Sequence, residues 1–180
     1  MKMYITQLRG VFEAISRNNE DHLEETGRRV AQSLVSGGKV YVHGWSDFSA
    51  VVHEATASSN AVPDAKPLFD GNGQPMTVTE RDTVILFVPK DFENEAVTWS
   101  QGIRSAGAHL ICVSYTNDDP SFKEAWDVHM ALPSAAPLIP FTDSKKIGSP
   151  SSLAALFLYH LIFFSVMEIL EEQELLEDEE

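Results

Sequence analysis

Cysteine is almost missing from this chain of 180 residues, which carries only Cys112. A single thiol excludes an internal disulfide framework and any zinc site built from several cysteines. Positive charge is scarce as well. Thirteen Lys and Arg face 27 Asp and Glu, a formal net charge of −14, which argues against a nonspecific grip on DNA, RNA or an anionic membrane. Trp99 and Trp126 lack the interleaved basic residues of a nucleic-acid surface and read as packing. Neither a GxGxxG run nor a P-loop occurs, so nucleotide binding ranks last among ligands and no cofactor is called for. The opening MKMYITQLRGVFEAI lacks the unbroken apolar stretch and small-residue cleavage site of a signal peptide. A cytoplasmic protein is the expectation.

Eight of the acids fall between Glu168 and Glu180, where there is no Lys or Arg. The rest of the chain holds 19 acids against 13 basic residues. Length and composition fit one domain over residues 1–172 with an acidic tail at 173–180. The long apolar run LAALFLYHLIFFSVMEIL, Leu153 to Leu170, would span about 27 Å as a helix, short of a hydrocarbon core of roughly 30 Å. It contains His160 and Glu168 and is followed by acids, where a membrane anchor would carry Lys or Arg. We read it as a core or subunit-interface helix, with no membrane partner. A helix apolar nearly all round must be covered on most sides, and oligomerisation does that simply.

Periodicity organises the rest. Tyr4, Leu8, Val11, Phe12 and Ile15 repeat at helical spacing, as do Leu23, Val30 and Leu34, predicting helices over 4–16 and 20–36 with a capped turn at Asn18-Asn19. Gly37-Gly38 ends the second. Strands follow at Lys39–His43, weakly at Lys66–Phe69, at Asp82–Val88, at His109–Ser114 and at Val128–Leu132. Helices are expected from Ser49 to about Ser59, from Glu93 to Ala106 and through the C-terminal run, with a loop over Pro133–Ser152. Cys112 lies inside an apolar strand as packing. Strands alternating with helices predict a doubly wound α/β sandwich of three layers around a parallel sheet. Ligands in such sheets sit beyond the carboxyl ends of the strands, which singles out the loops after His43, Val88 and Ser114.

Two leading helices, then GGKVYVHG, then a Ser-containing turn and a helix, form a recognisable opening. The passages DTVILFVP…EAVTWSQGIRSAGAHLICVS and WDVHMALP, a Ser-rich loop, and SSLAALFLYHLIFFSVMEIL follow in order. From about Val11 to Leu170 the chain resembles the sugar isomerase (SIS) domain family, closest in layout to the phosphoheptose isomerases and their uncharacterised bacterial relatives. The resemblance implies a five-stranded parallel sheet, a phosphorylated sugar bound at the strand ends, and a homodimer or homotetramer built through helices.

It also implies site residues. The family uses a Ser/Thr/Gly-rich turn after the first strand, and in Gly44-Trp45-Ser46-Asp47-Phe48-Ser49 the residues matching it are Ser46 and Ser49. Hydroxyls and N–H groups at a helix start suit a phosphate; Ser49 or Asp47 would equally serve as a plain helix cap. After the third strand the family carries a Ser-x-Ser-Gly-x-Thr type run. Here Val88-Pro89-Lys90-Asp91-Phe92-Glu93-Asn94-Glu95 has no Ser, Thr or Gly. Lys90 offers a point charge to a phosphate, and Asp91 offers a cap instead. The loop Asp143–Ser152 corresponds to the family segment that folds over the ligand, with Ser151 and Ser152 as ligand donors or as the helix cap, and Lys145 and Lys146 nearby.

Aldose–ketose isomerisation needs a base that moves a proton between adjacent carbons and an acid/base that opens the ring. The family takes a Glu from the helix after strand one and a His from the C-terminal helix. His160 stands at the His position, and Glu54 lies on the expected helix one turn early, with Ser58 and Ser59 where the Glu would fall. Some members bind zinc here. His53 and His160 give two nitrogen ligands without a third, so no metal is expected. Two readings stay open: an isomerase using Glu54 and His160, and a noncatalytic module that senses a phosphosugar or acts as an oligomeric scaffold.

Overall fold

The computed structural model describes residues 2–115, 119–134 and 136–177, with the side chains of the final helix described to residue 173. Helices α1 (Lys2–Asn18) and α2 (Glu20–Val35) open the chain. Glu20 and Asp21 lie in the first turn of α2, where carboxylates meet the positive end of the helix dipole. The helix stops at Gly37, whose φ of 75° suits a residue without a Cβ. The expected Asn cap between the helices takes another form. Asn19 is buried, and its amide donates to the carbonyls of Ile15 (2.8 Å) and Ala131 (3.1 Å) while its Oδ1 accepts from the Ala131 N–H (2.8 Å). It thereby pairs backbone groups of an edge strand that would otherwise be open.

That strand belongs to a five-stranded parallel sheet. Strands β1 (Val40–Gly44), β2 (Ala65–Pro67), β3 (Thr83–Val88), β4 (His109–Tyr115) and β5 (Val128–Leu132) lie in the order β2-β1-β3-β4-β5. All six residues of β3 are buried, the continuous apolar run expected of a strand covered on both faces. Helix α3 (Ala50–Ala57) joins β1 to β2, α4 (Glu93–Ser105) joins β3 to β4, and α5 (Pro120–Lys123) is a short turn before β5. One apolar layer packs Val40, Val42, Ile85 and Phe87 against α1, α2, α3 and the C-terminal helix α6 (Ser151–Glu177). The opposite layer sets Val84, Leu86, Leu110 and Cys112 against α4 and Trp126. Burial pushes the Cys112 thiol well above its ordinary pKa, so it packs rather than reacts.

Three elements depart from the periodicity. The weak strand expected at 66–69 is the three-residue β2, which starts one residue earlier and ends two residues earlier. The stretch expected as a loop over 133–152 contains an antiparallel hairpin, β6 (Ile139–Thr142) and β7 (Lys145–Ile147). Helix α6 continues to Glu177, into the acidic run that composition sets apart as a tail. Among the described residues α6 is the helix long and apolar enough to cross a membrane. One face of it, however, forms core: Ala154, Ala155, Leu158, Tyr159, Ile162 and Val166 are all fully buried.

Candidate functional site

The strand order reverses between β1 and β3, the switch point beyond which open α/β sheets hold their ligands. Gly44 ends β1 there, and the Trp45 N–H donates to the Phe87 carbonyl of β3 (3.2 Å). The chain then makes a tight turn over Ser46–Phe48, with Phe48 fully buried as its anchor. Ser46 adopts φ 49°, a left-handed conformation uncommon for residues other than glycine and concentrated at functional loops. Ser46 and Ser49 are both exposed. Ser49 is the cap residue of α3, and its side chain makes no cap hydrogen bond. Among the described residues, Ser49 thus stands at the start of α3 with its hydroxyl uncommitted.

The loop after β3 turns over Lys90–Phe92. Lys90 is exposed, and α4 begins without the cap expected from Asp91. Behind this loop Trp45 donates its indole N–H to Glu95 (3.1 Å), and the ring of His43 packs edge-on against Trp45 and Phe69. Burial lowers the His43 pKa, partly offset by Glu95. Residues 116–118, in the loop after β4, lie outside the described residues.

At the start of α6 the serines are drawn into the fold. Tyr115 donates its hydroxyl to Ser151 (2.9 Å), and Ser151 shares a hydrogen bond with Ser149 (2.7 Å). Ser152 donates to the Asp47 carbonyl (2.7 Å), tying α6 to the β1 loop. Ser151 is buried. Among the described residues, Ser46, Ser49 and Lys90 are therefore the exposed side-chain donors of the loops after β1 and β3.

Glu54 and His160 meet. His160 Nε2 lies 2.9 Å from Glu54 Oε1, although 106 residues separate them in the chain. The Asn60 side-chain amide donates to the same oxygen (2.8 Å), Ser58 donates to the Glu54 carbonyl (2.8 Å), and Tyr159 donates to the Asn60 carbonyl (2.6 Å). The Asn60 hydrogen bond first, and then that of His160, holds the Glu54 carboxyl below its ordinary pKa. Asn60 and Tyr159 carry no motif, and only the folded contact reveals them. His53, next to Glu54, is exposed. Among the described residues no group of three or more His, Cys, Asp or Glu could hold a metal ion.

The pair does not sit at the switch point within one chain. Ser152 touches the β1 loop, whereas His160 is eight residues further along α6, about 12 Å down the helix. The pair lies where α3 meets α6, with the His160 side chain 37% exposed and that of Glu54 22%. Water and small solutes reach both groups.

Comparison with known proteins agrees with this architecture. Solved structures of low identity superpose on it, two of them over 94–98% of either chain. One is a protein of Methanococcus jannaschii, whose structure was read as inferring a 3-hexulose-6-phosphate isomerase; it is 14% identical, covers 98% of this chain and 94% of its own, and has a TM-score of 0.66. Another is a phosphoheptose isomerase from Francisella tularensis, 11% identical, covering 94% and 95%, with a TM-score of 0.63. These likenesses show the sugar isomerase fold. In sequence, the uncharacterized protein YwjG of Bacillus subtilis is 33% identical over 173 residues, 96% of this chain and 98% of that protein. A family model described as a domain of unknown function, DUF2529, matches residues 1–170.

Proposed function

This chain belongs to the DUF2529 family, and from that premise we propose that it is a phosphosugar-binding protein of the sugar isomerase fold, acting in the cytoplasm as a homodimer or homotetramer assembled through helices. The observation that carries the reading is the switch point between β1 and β3, where Ser46, Ser49 and Lys90 present exposed donors beside the first turn of α3. Hydroxyls, an ammonium and helix N–H groups together suit a phosphate dianion. Ser151 and Ser152 support the site by fastening α6 to it.

The Glu54–His160 pair is the proton-transfer equipment of this reading. In aldose–ketose exchange a base removes the proton from C2 of the aldose, the carbonyl oxygen at C1 takes up a proton, and the enediol returns one proton to C1 while losing another from O2. A useful base titrates near the working pH. Glu54, held below its usual range by Asn60 and His160, is moved away from the working pH. We therefore assign proton transfer to His160 and its orientation to Glu54, reversing the emphasis that the resemblance gives to the Glu.

A second reading, a phosphosugar-binding module without turnover, has two observations in its favour. The loop after β3 lacks Ser, Thr and Gly, and His160 lies about 12 Å along α6 from the β1 loop. Incubation with sedoheptulose 7-phosphate, read by the appearance of aldose product, separates the two. Turnover lost in His160→Ala, with melting preserved, supports the isomerase. Saturable binding without turnover supports the module, and the absence of both contradicts the proposal.

A further inference from the structure

Helix α3 ends at Ala57, and Ser58, in extended conformation, turns the chain out of it. Ser58 then closes that end. Its hydroxyl donates to the Glu54 carbonyl (2.8 Å), one of the last-turn carbonyls a helix leaves unpaired, and accepts from the Asn60 N–H (2.9 Å). Asn60 is thereby returned to Glu54. Its side-chain amide donates to Glu54 Oε1 (2.8 Å), the same oxygen that His160 Nε2 meets at 2.9 Å. Its carbonyl accepts from the hydroxyl of fully buried Tyr159 (2.6 Å), the neighbour of His160 in α6. Burial raises the pKa of that phenol, so it stays a donor. The contacts close a circuit from Glu54 to Asn60, on to Tyr159, through one peptide bond to His160, and back to Glu54. Each member of the pair is tied to the other twice, once directly and once through Asn60 and Tyr159.

What the circuit fixes is the place of one proton. An ionised carboxylate only accepts hydrogen bonds, and two donors on one oxygen favour the ionised state of Glu54. His160 Nε2 is therefore the donor of its bond to Glu54. In the neutral imidazole the proton then sits on Nε2 and the lone pair on Nδ1. The two nitrogens point away from each other, so Nδ1 faces away from Glu54. Among the described residues no hydrogen bond reaches Nδ1.

We propose that Asn60 is a positioning residue: held by Ser58 and Tyr159, it fixes Glu54 against His160 and so presents Nδ1 of His160, not Nε2, as the proton acceptor. The inference rests on the assignment of proton transfer to His160 made above and names the atom that performs it. When Nδ1 takes the proton from the sugar carbon, the C–H electrons pass into the double bond of the enediol, and water protonates the carbonyl oxygen. The imidazolium left behind keeps its Nε2 proton on the Glu54 carboxylate, which offsets its charge. Without Asn60 that carboxylate holds one partner in place of two, and the imidazole is free to change tautomer and orientation.

Proton and nitrogen NMR of the histidine side chains in the isotope-labelled full chain tests this. The His160 signals are those missing from His160→Gln. In the native protein, at a pH where the imidazole is neutral, Nε2 should carry the proton, in slow exchange with water, and Nδ1 should be bare. Asn60→Ala, which removes the donor and adds no charge, should lose that protection and populate both tautomers. Should Asn60→Ala not fold, Tyr159→Phe, which releases the Asn60 carbonyl, is read the same way. Turnover of sedoheptulose 7-phosphate should fall about 10–100-fold in kcat in Asn60→Ala, with KM unchanged. A native imidazole protonated at Nδ1 would overturn the proposal. So would an Asn60→Ala protein that melts lower yet keeps the native His160 signals and kcat, because Asn60 then serves the fold alone. The expected His160 signals without any turnover refute the isomerase reading and keep Asn60 as the group that orients the pair. Turnover with His160 signals that ignore Asn60 refutes the positioning alone.

Discussion

Replacing Gly44 by Ala should cost the fold about 2 kcal/mol and lift the loop that carries Ser46 and Ser49. A Cβ at Gly44 would stand 2.4 Å from the Phe48 carbonyl oxygen, 2.8 Å from its carbonyl carbon and 3.3 Å from its Cβ. Two of those atoms are backbone, so no rotamer change relieves the contact. The turn is also pinned. The Phe48 N–H donates to the Trp45 carbonyl (2.9 Å), the Ser49 N–H to that of Ser46 (3.0 Å), and Ser152 holds the Asp47 carbonyl from α6. Moving it draws fully buried Phe48 away from the core. Overpacking of this kind costs roughly 1–3 kcal/mol, which at this chain length lowers the melting temperature by about 4–8 °C for the middle of that range. The control is Gly102→Ala in α4, where an added Cβ meets nothing within 4 Å. There the better helix propensity of Ala should add about 1 kcal/mol and raise melting by roughly 2–4 °C. Both are read by differential scanning calorimetry. A Gly44→Ala protein melting within ~1 °C of the native one, with Gly102→Ala behaving as stated, would refute the claim that close approach of the turn to β1 holds the loop.

Further tests probe other parts of the structure. Burial lowers the His129 pKa to about 4, with its ring against Ser114 (2.8 Å). The folded value lies below the ordinary one, so the unfolded chain takes up the proton first and stability should fall as pH drops from about 6.5 to 4, by at most about 3 kcal/mol; urea midpoints across that range should show the decline, and His129→Asn should flatten it. Asn19→Ala strips the partners from the Ala131 N–H and carbonyl and should cost roughly 2 kcal/mol by urea titration. Tyr159→Phe leaves the Asn60 carbonyl without its donor, which should cost about 1–3 kcal/mol in the same assay.

What was legible in the sequence was the layered frame. The apolar runs of β1, β3 and β4 and the stripes on α1 and α2 announce their periods locally, and the structure carries them with ends moved by one or two residues. The hairpin at 139–147 escaped because its strands are three and four residues long and contain Pro140, which breaks the pattern a strand would show. The site was legible only in part. Ser46, Ser49, Glu54 and His160 are candidates that the resemblance points to, but nothing local in either segment says that Glu54 and His160 touch, because the packing of α3 on α6 decides it. Asn60, Tyr159 and Asn19 act through hydrogen bonds to groups distant in the chain, and such roles leave no periodicity to read.

The most direct test of the central claim is thermal unfolding of the native protein against sugar phosphates, among them sedoheptulose 7-phosphate and hexose and hexosamine phosphates, with inorganic phosphate as the control. A ligand that binds only the folded state at a hundredfold excess over Kd stabilises it by about 2.7 kcal/mol, a rise of roughly 5–11 °C for a chain of this size. The account predicts such a rise for at least one sugar phosphate, absent with inorganic phosphate and reduced in Ser49→Ala. Melting unchanged by every sugar phosphate at millimolar concentration would contradict it.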